Sequence, residues 1–266
     1  MPTTPPLRCL SFQQPWAWAI CIGAKTVENR IWSTDYRGPV AIHAGASKQT
    51  LNQINRGQKG KKVDPAAFKF GAIIGVAELT DVAEMSPAFE GNVWAAGPYC
   101  WSFKNARLFS EPIPHKGQLK LYSLTEDAAK AVHQQIHQGK HTKAVSPEAA
   151  EIVAAITLPA FEMHLARAHA YLTLKAYAEM LRCCEAAVTA DPSSAEAYKY
   201  LGIAHSKFGN LDKSISAATK AIQLNPKDAG GYWVRFCAYE ELGEKAKGDA
   251  DYERAVALNP KLKSAR

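Results

Sequence analysis

Residues 195–228 read AEAYKYLGIAHSKFGNLDKSISAATKAIQLNPKD, and this stretch decides the fold of the second half of the chain. Its closing Asn225-Pro226 recurs as Asp191-Pro192 and Asn259-Pro260, at a spacing of 34 residues. A fixed period of this length is typical of a repeated helix–turn–helix unit. Small residues such as Gly202 let two helices approach closely, and a proline ends the second helix. The pattern predicts three tandem helix pairs, over residues 161–194, 195–228 and 229–262.

The residues at the repeating positions resemble the tetratricopeptide repeat (TPR) family. The middle repeat carries the family's small and apolar landmarks, namely Tyr198, Leu201, Gly202, Ala204, Phe208, Gly209, Ala218, Ala221 and Leu224. The outer repeats depart from the pattern, with Arg167 and Arg235 where leucine is usual. Terminal repeats of such arrays are often atypical, and we interpret both departures as loss of the repeat consensus at the ends of the array.

A TPR array resembles a peptide-binding scaffold whose inner groove is formed by the first helix of each repeat. At the groove positions we single out Lys199, Ile203 and Trp233. Trp233 is the candidate anchor for a partner, because tryptophan is enriched at binding hot spots, or alternatively it covers the open end of the array. The groove lacks the Lys/Asn/Arg clamp that holds a C-terminal carboxylate, so chaperone-tail binding is not predicted.

The end of the array raises a second question about partners. No capping helix is expected after Pro260, so the last repeat should expose an apolar face. That face packs on the first domain, packs on a second copy of the chain to form an oligomer, or stays frayed.

The composition indicates a globular protein with two domains: 266 residues, of which 47% are hydrophobic and 21% charged. The net charge of +7 is concentrated in residues 1–140, which hold 16 Lys and Arg against 10 Asp and Glu. A local positive excess attracts phosphate, although the same charge also serves solubility.

No targeting or metal-binding segment is evident in the sequence. The longest apolar run near the N-terminus, residues 16–22, is far shorter than the roughly 20 residues needed to span a membrane. With no secretory signal either, a cytoplasmic location is expected. The six cysteines form no CxxC pair and lie at no metal-ligand spacing, so we predict buried thiols and no metal.

Residues 1–140 are predicted to form a mixed α/β domain, followed by a linker with a short helix over residues 141–160. Five strands in this domain indicate a small, strongly curved sheet or barrel. The first strand candidate is 7–12, and the further candidates, rich in β-branched and aromatic residues, are 40–43, 71–82, 99–108 and 118–124. A short helix is expected over 16–22 and a longer one from Thr125 to Gly139.

Residues 23–30, GAKTVENR, fit the pattern GxKxxExR and resemble the ASCH family, a branch of the PUA-like β-barrel superfamily. The other landmarks are LSFQQPW at 10–16, YRGPVAIHA at 36–44, GPYCW at 97–101 and Lys116-Gly117. The resemblance implies an α+β protein: a PUA-like β-barrel with short helices, then an all-α TPR solenoid of three helix pairs. Most members of the superfamily contact RNA or modified nucleosides.

The charged residues of the motif, Lys25, Glu28 and Arg30, are expected to converge on one cleft. Arginine offers a planar fork for phosphate or a base edge, lysine a point charge, and glutamate an acceptor for a base amine. The competing interpretation is an internal salt bridge that only holds the turn. Further candidates for the cleft are Trp32 and Trp101, which could stack a base, and His43.

A second basic feature lies at residues 56–62. Arg56, Lys59, Lys61 and Lys62 are interspersed with glycines and are read as a flexible loop. The loop is either an ordinary solvated connection or an arm that follows a phosphate backbone.

Two functions remain open from the sequence, with no cofactor implied by either. The first is an RNA- or nucleotide-binding module coupled to a protein-interaction array. The second is a hydrolase acting on RNA or on a modified nucleoside such as N4-acetylcytidine, with Lys25 and Glu28 as catalytic residues or His43 as general base. The nucleoside amidohydrolases among the relatives carry Thr where this chain has Glu28. A third possibility is an adaptor whose barrel binds no nucleic acid.

Overall fold

The computed structural model describes residues 7–57, 62–137, 141–142, 147–157 and 160–265. The chain divides into two compact units. The first, which we call the sheet unit, comprises Met1–Ala83 and Tyr99–Thr157. The second, the repeat unit, comprises Glu84–Pro98 and Leu158–Arg266. A single boundary near residue 140 does not anticipate this division, because the segment 84–98 belongs to the repeat unit.

The sheet unit has the α+β composition that the sequence predicts. Its elements, in chain order, are β1 Arg8–Phe12, α1 Trp16–Cys21, β2 Val27–Arg30, β3 Gly38–Ala44, α2 Gln49–Gly57, β4 Ala72–Glu84, β5 Tyr99–Pro114, β6 Leu121–Ser123, α3 Glu126–His137, β7 His141–Thr142 and α4 Pro147–Ile156. Each of the five predicted strands is present, and β2, α2 and β7 are elements that the sequence patterns did not reveal.

Seven strands form one sheet in the order β2-β5-β4-β3-β1-β6, with β7 paired to β5. β1 and β3 run parallel and lie near the middle of this order, which places Ser11 opposite His43. Successive residues of a strand point to opposite faces, so each central strand serves two cores. Leu10 and Ile42 pack with α1 on one face, whereas Cys9 and Ala41 pack with α3 on the other.

The repeat unit contains the three predicted helix pairs. They are α5 Ala160–Thr173 with α6 Tyr177–Ala190, α7 Ala195–Lys207 with α8 Leu211–Leu224, and α9 Ala229–Leu242 with α10 Lys245–Leu258. A short 3-10 helix, Pro260–Ala265, follows α10. The expectation that no capping helix follows the last repeat stays a prediction, because this 3-10 helix is only six residues long.

Backbone conformation explains the glycines between paired helices. Gly209 and Gly243 have φ values of +70° and +76°, a left-handed region that glycine adopts without steric cost. Lys175 occupies the corresponding position of the first repeat with φ +58°. Gly202 is needed for close approach instead, because a Cβ there would lie 3.0 Å from Val234 Cγ1.

Both arginines that replace the usual leucine are engaged by hydrogen bonds. Buried Arg167 donates from Nε to the Ala95 carbonyl oxygen at 3.0 Å and from Nη2 to that of Asn92 at 2.9 Å. Arg235 donates to both carboxylate oxygens of Asp251, at 2.7 and 2.8 Å, and to Thr219 Oγ1 at 3.0 Å. The interpretation of these residues as mere loss of the repeat consensus is wrong, because each guanidinium forms hydrogen bonds between separate parts of the repeat unit.

Glu90 is a second link between the segment 84–98 and the first helix pair. Arg182 donates two hydrogen bonds to its carboxylate, one of them at 2.7 Å, and the Tyr171 hydroxyl donates a third at 3.3 Å. The Arg182 guanidinium holds the pKa of Glu90 below its ordinary value.

Within the described ranges, no single helix is long and apolar enough to cross a membrane; only residues 149–156 and 160–173, taken together, reach that length and composition. All six cysteines are thiols outside any disulfide, and five of them are buried, as the sequence predicts.

Candidate functional site

The GxKxxExR motif forms the turn after α1 and the whole of β2. Gly23 adopts φ +78°, which lets the chain leave the helix, and the Lys25 amide donates to the Ala19 carbonyl oxygen at 2.9 Å. β2 then pairs antiparallel with β5, with Glu28 opposite Trp101. The motif is therefore held in place by the sheet, a contribution that the sequence interpretation of it as a turn missed.

Lys25 is buried in this turn, with 4% of its surface exposed. Its Nζ donates to the Val27 carbonyl oxygen at 2.6 Å and lies 3.5 Å from Glu28 Oε2. Burial lowers the pKa of Lys25, and the charge of Glu28 opposes that shift. These contacts hold the turn, and they match the internal salt bridge that was the competing interpretation of the motif.

Glu28 lies between the two cations, because Arg30 Nη2 is 3.5 Å from Glu28 Oε1. Arg30 Nη2 also donates to the Ser11 carbonyl oxygen at 2.9 Å, and the guanidinium carbon lies 5.0 Å from the centre of the Phe12 ring. The Arg30 Nε is buried and has no hydrogen-bond partner within the described part of the chain. Arg30 therefore retains an unused donor.

Two hollows open beside the end of β1, each of about 470 Å³. We name them after one residue each. The Arg30 hollow is lined by Ser11, Phe12, Gln13, Trp16, Glu28, Arg30, Gly45, Ala46 and Ser47. The His43 hollow is lined by Ser11, His43, Gly45, Ala46, Gly71, His115, Lys116, Gly117, Gln118 and Leu119. They share Ser11, Gly45 and Ala46, so they lie side by side.

His43 is 3% exposed and its ring is held from both nitrogens. Nε2 lies 3.0 Å from the His115 carbonyl oxygen, and Nδ1 lies 3.1 Å from Ser11 Oγ. A carbonyl oxygen only accepts, so Nε2 carries the proton and Nδ1 of the neutral ring accepts from the Ser11 hydroxyl. Burial lowers the pKa of His43, which favours this neutral form.

The structure brings some of the predicted site residues together and separates others. Glu28 and Arg30 line one hollow and His43 lines the other, whereas Lys25 lines neither. The expectation that Trp101 lines a cleft is wrong, because it is fully buried in the core. Trp32 packs on it with ring centres 4.6 Å apart and lines neither hollow.

Several residues of the hollows escaped sequence reasoning. Trp16 lines the Arg30 hollow, and its place in the LSFQQPW landmark was the available signal. Ser11 sits in the same landmark, but its contact with His43 depends on the pairing of β1 with β3. His115 comes from a distant loop that no local pattern connects to the motif, although the neighbouring Lys116-Gly117 was one of the landmarks.

The predicted basic loop is only partly within the described residues. Arg56 lies exposed in the last turn of α2, so the chain there is helical and not a loop. Lys62 is exposed and borders a separate hollow of about 600 Å³ that includes Glu151 and Ile152. Lys59 and Lys61 lie outside the described residues.

The predicted groove residues of the repeats have different surroundings. Lys199 Nζ forms an ion pair with Asp228 at 3.3 Å. Ile203 is partly buried. Trp233 is also partly buried and packs on Phe236, with ring centres 5.3 Å apart. Trp233 is therefore part of an aromatic cluster within its own repeat.

No group of three or more His, Cys, Asp or Glu side chains that could hold a metal ion occurs in the parts of the chain that the structure describes.

Comparison with known proteins identifies both halves of the chain. Residues 10–113 match the ASCH domain, residues 195–228 match the tetratricopeptide repeat, and 161–194 and 237–262 match a second description of that repeat. Activating signal cointegrator 1 of Homo sapiens is 30% identical over 150 residues, and that of Mus musculus is 28% identical. Each alignment covers 52% of this chain and 25% of the relative, so the chain spans about a quarter of those proteins' length.

Several similar solved structures are described as TPR domains. The Arabidopsis OM64 TPR domain has 23% identity and a TM-score of 0.37, covering 38% of this chain and 84% of that one. The second TPR of Spaghetti (RPAP3) bound to HSP90 peptide SRMEEVD has 19% identity and a TM-score of 0.36, covering 37% and 92%. By the family matches alone, the chain carries an ASCH domain at residues 10–113 and tetratricopeptide repeats between residues 161 and 262.

Proposed function

We propose that the sheet unit binds single-stranded RNA or a nucleotide at the two hollows beside β1, and that the repeat unit binds a protein or peptide partner. The observation that carries the first part is Arg30, whose side chain lines a hollow while its buried Nε has no hydrogen-bond partner in the described chain. A buried donor without a partner costs about 1–3 kcal/mol, and a ligand acceptor that reached it would recover that cost.

The chemistry of the Arg30 hollow suits a nucleotide. The guanidinium presents a planar fork to a phosphate or to the edge of guanine. Glu28 places a carboxylate beside it, which accepts from a base amine. Trp16 lines the same hollow and offers an aromatic face for stacking a base. The positive excess of residues 1–140 supports attraction of the phosphate backbone.

Lys25 has a different role in this proposal from the one that the motif suggests. Its ammonium group is already bonded to Val27 and Glu28, and it orients Glu28 for the ligand without contacting the ligand itself.

For the repeat unit, the proposal names the partner only as a protein or peptide. Ile203 and Trp233 supply partly buried apolar surface on α7 and α9. Self-association through the last repeat and a cytoplasmic location complete the proposal.

The test uses the full chain and a fluorescently labelled single-stranded RNA, titrated at two salt concentrations. Arg30→Ala should weaken binding about tenfold or more, and Arg30→Lys should recover only part of the affinity, because it restores charge without the fork. Arg37→Ala is the matched control, since Arg37 is an exposed arginine of the same unit that pairs with Asp81. If Arg30→Ala melts earlier but binds RNA as tightly as the unaltered chain, the motif is only structural.

Hydrolysis is a second candidate function, and one observation favours it. Ser11 Oγ donates to the neutral His43 ring at the wall of a hollow, which is the arrangement of a hydroxyl beside a general base. If the chain is a hydrolase, His43→Ala abolishes turnover and retains RNA binding. Product analysis of RNA and of N4-acetylcytidine, incubated with the full chain, checks this outcome; absence of product with both substrates contradicts it.

A further inference from the structure

Leu119 and Ile31 are the most exposed large apolar side chains that the structure describes, at 93% and 84%. Isolated apolar residues on a surface are common and need no explanation by themselves. Leu119 differs because it lies at the rim of the His43 hollow, in the loop that connects β5 to β6. Its exposure therefore coincides with the proposed binding surface.

The loop that carries Leu119 is anchored at its base. The His115 carbonyl oxygen accepts a hydrogen bond from His43, and the His115 ring lies parallel to that of Tyr122, with an interplanar angle of 4°. Gly117 lies so close to the hollow wall that a Cβ there would be 2.4 Å from His43 Cε1 and 2.7 Å from Ser11 Oγ. The first half of the loop is thus fixed to the strands.

The second half of the loop has a constrained backbone. Lys120 has φ +60°, a conformation that is uncommon for a residue with a side chain and indicates a backbone held by its surroundings. β6 begins at the next residue, Leu121. Leu119 is therefore presented on a short turn between fixed ends, and little conformational entropy is lost when it contacts a ligand.

The charges around Leu119 point to the chemistry of its ligand. Residues 115–120 read HKGQLK, with exposed Lys116 and Lys120 and no carboxylate. Lysines neutralise phosphates, and nucleic-acid-binding proteins insert apolar side chains such as leucine between bases. A membrane or an acidic protein would attract the same lysines. A nucleic acid is favoured because the loop adjoins the unused Arg30 donor through the shared wall of the two hollows.

We propose that Leu119 is an apolar wedge that packs against the face of a base and unstacks it from its neighbour, while Lys116 and Lys120 contact the flanking phosphates. The inference rests on the proposed RNA binding. It adds the path of the RNA strand, which crosses the rim of the His43 hollow, and it names the residue that separates two bases.

The test uses the full chain and a single-stranded RNA that contains one 2-aminopurine, whose fluorescence is quenched by stacking. Binding of the unaltered chain should increase the fluorescence. Leu119→Ala should remove that increase and weaken binding about tenfold, the effect of losing one buried leucine contact. Lys116→Ala and Lys120→Ala should each reduce the slope of log affinity against log salt by about one, because each removes a phosphate contact.

Two further variants separate the outcomes. Leu119→Met, which stays apolar, should keep the fluorescence increase, and Leu242→Ala is a control for an exposed leucine in the repeat unit. If Leu119→Ala binds RNA with full affinity and full fluorescence increase, the wedge is wrong while the RNA-binding proposal stands, and Leu119 faces a protein or a membrane. If the unaltered chain binds no RNA at two salt concentrations, the proposed function itself is wrong and the wedge with it.

Discussion

Arg30 in the sheet unit and Arg235 in the repeat unit are equally exposed, at 22% and 21% of their side chains, and each lies beside a carboxylate. Their hydrogen bonding differs. Arg235 uses Nε, Nη1 and Nη2, and it contacts Asp251 through both carboxylate oxygens. Arg30 lies 3.5 Å from Glu28, donates from Nη2 to a backbone oxygen, and leaves Nε without a partner in the described chain.

The comparison shows that burial alone does not separate a structural charge from a binding charge. A guanidinium whose three nitrogens all donate within the protein joins neighbouring helices and has fewer N–H groups left for a ligand. A guanidinium with a spare buried donor at the wall of a hollow is a candidate for recognition. Variants of the repeat unit test this criterion. Substitution of charged residues there is predicted to change stability and to leave RNA binding unchanged.

The largest effect is expected at Asp251. Asp251→Ala leaves the Arg235 guanidinium partly buried without its carboxylate, and the free energy of unfolding should fall by about 3 kcal/mol. Urea denaturation measures this change, and RNA affinity should not move. The double variant Asp251→Ala with Arg235→Leu should recover most of the loss, because leucine is usual at that position. A double variant as unstable as the single one would show that the ion pair is not the cause.

The next effect concerns Arg167. Leucine is usual there too, so the repeat pattern alone expects Arg167→Leu to be harmless. The structure predicts a loss of about 2 kcal/mol in the free energy of unfolding, because the substitution removes the donors to the Asn92 and Ala95 carbonyl oxygens. Arg167→Lys, which keeps one charged donor, should lose less. If urea denaturation finds Arg167→Leu as stable as the unaltered chain, Arg167 is only a loss of the repeat consensus.

The third prediction is a pH dependence at Glu90. Its pKa is depressed below 4.5 by Arg182, so the pairing stabilises the folded protein fully above pH 4.5 and is lost as the pH falls through the lower, folded value. Glu90→Gln should therefore be less stable than the unaltered chain at pH 7, by about 1 kcal/mol, with the difference shrinking below pH 4.5. Thermal melting across pH 3–7 measures it, with Glu185→Gln as the control. A difference independent of pH would exclude a role for the charge.

The smallest effect is expected at Lys175, which tests backbone strain in place of charge. Its φ of +58° is left-handed, where glycine stands in the other two repeats. Lys175→Gly should raise the free energy of unfolding by about 0.5–1 kcal/mol by relieving that strain. Lys175→Ala should give no gain, since it keeps a Cβ. Equal stabilisation by both variants in urea denaturation would instead assign the effect to the lost lysine charge.

Much of the fold could be predicted from local pattern. The 34-residue spacing gave the three helix pairs, because each repeat must bury the same face against its neighbours. The strand at 71–82 was evident from its β-branched residues. β2 was not, because its sequence Val27-Glu28-Asn29-Arg30 has no run of β-branched or aromatic residues and is a strand only because it pairs with β5.

The candidate site was predictable only in part. The GxKxxExR pattern identified Glu28 and Arg30, because residues at matching positions of a family motif are expected to have similar roles. It could not tell that Lys25 would be buried against the Val27 carbonyl oxygen, or that Trp101 would be enclosed in the core. Burial of a residue depends on which elements pack over it, and the sequences of those elements lie elsewhere in the chain.

The sequence by itself determined the two kinds of domain and the chemistry available to each, because periodicity and residue type act locally. Which charged side chains already have hydrogen-bond partners within the protein depends on the tertiary structure. His43 and His115 are 72 positions apart in the sequence, Asn92 and Arg167 are 75 apart, and one hydrogen bond joins each pair. A chain can form such contacts only when distant segments are already packed, so a spare donor such as that of Arg30 becomes visible only after folding.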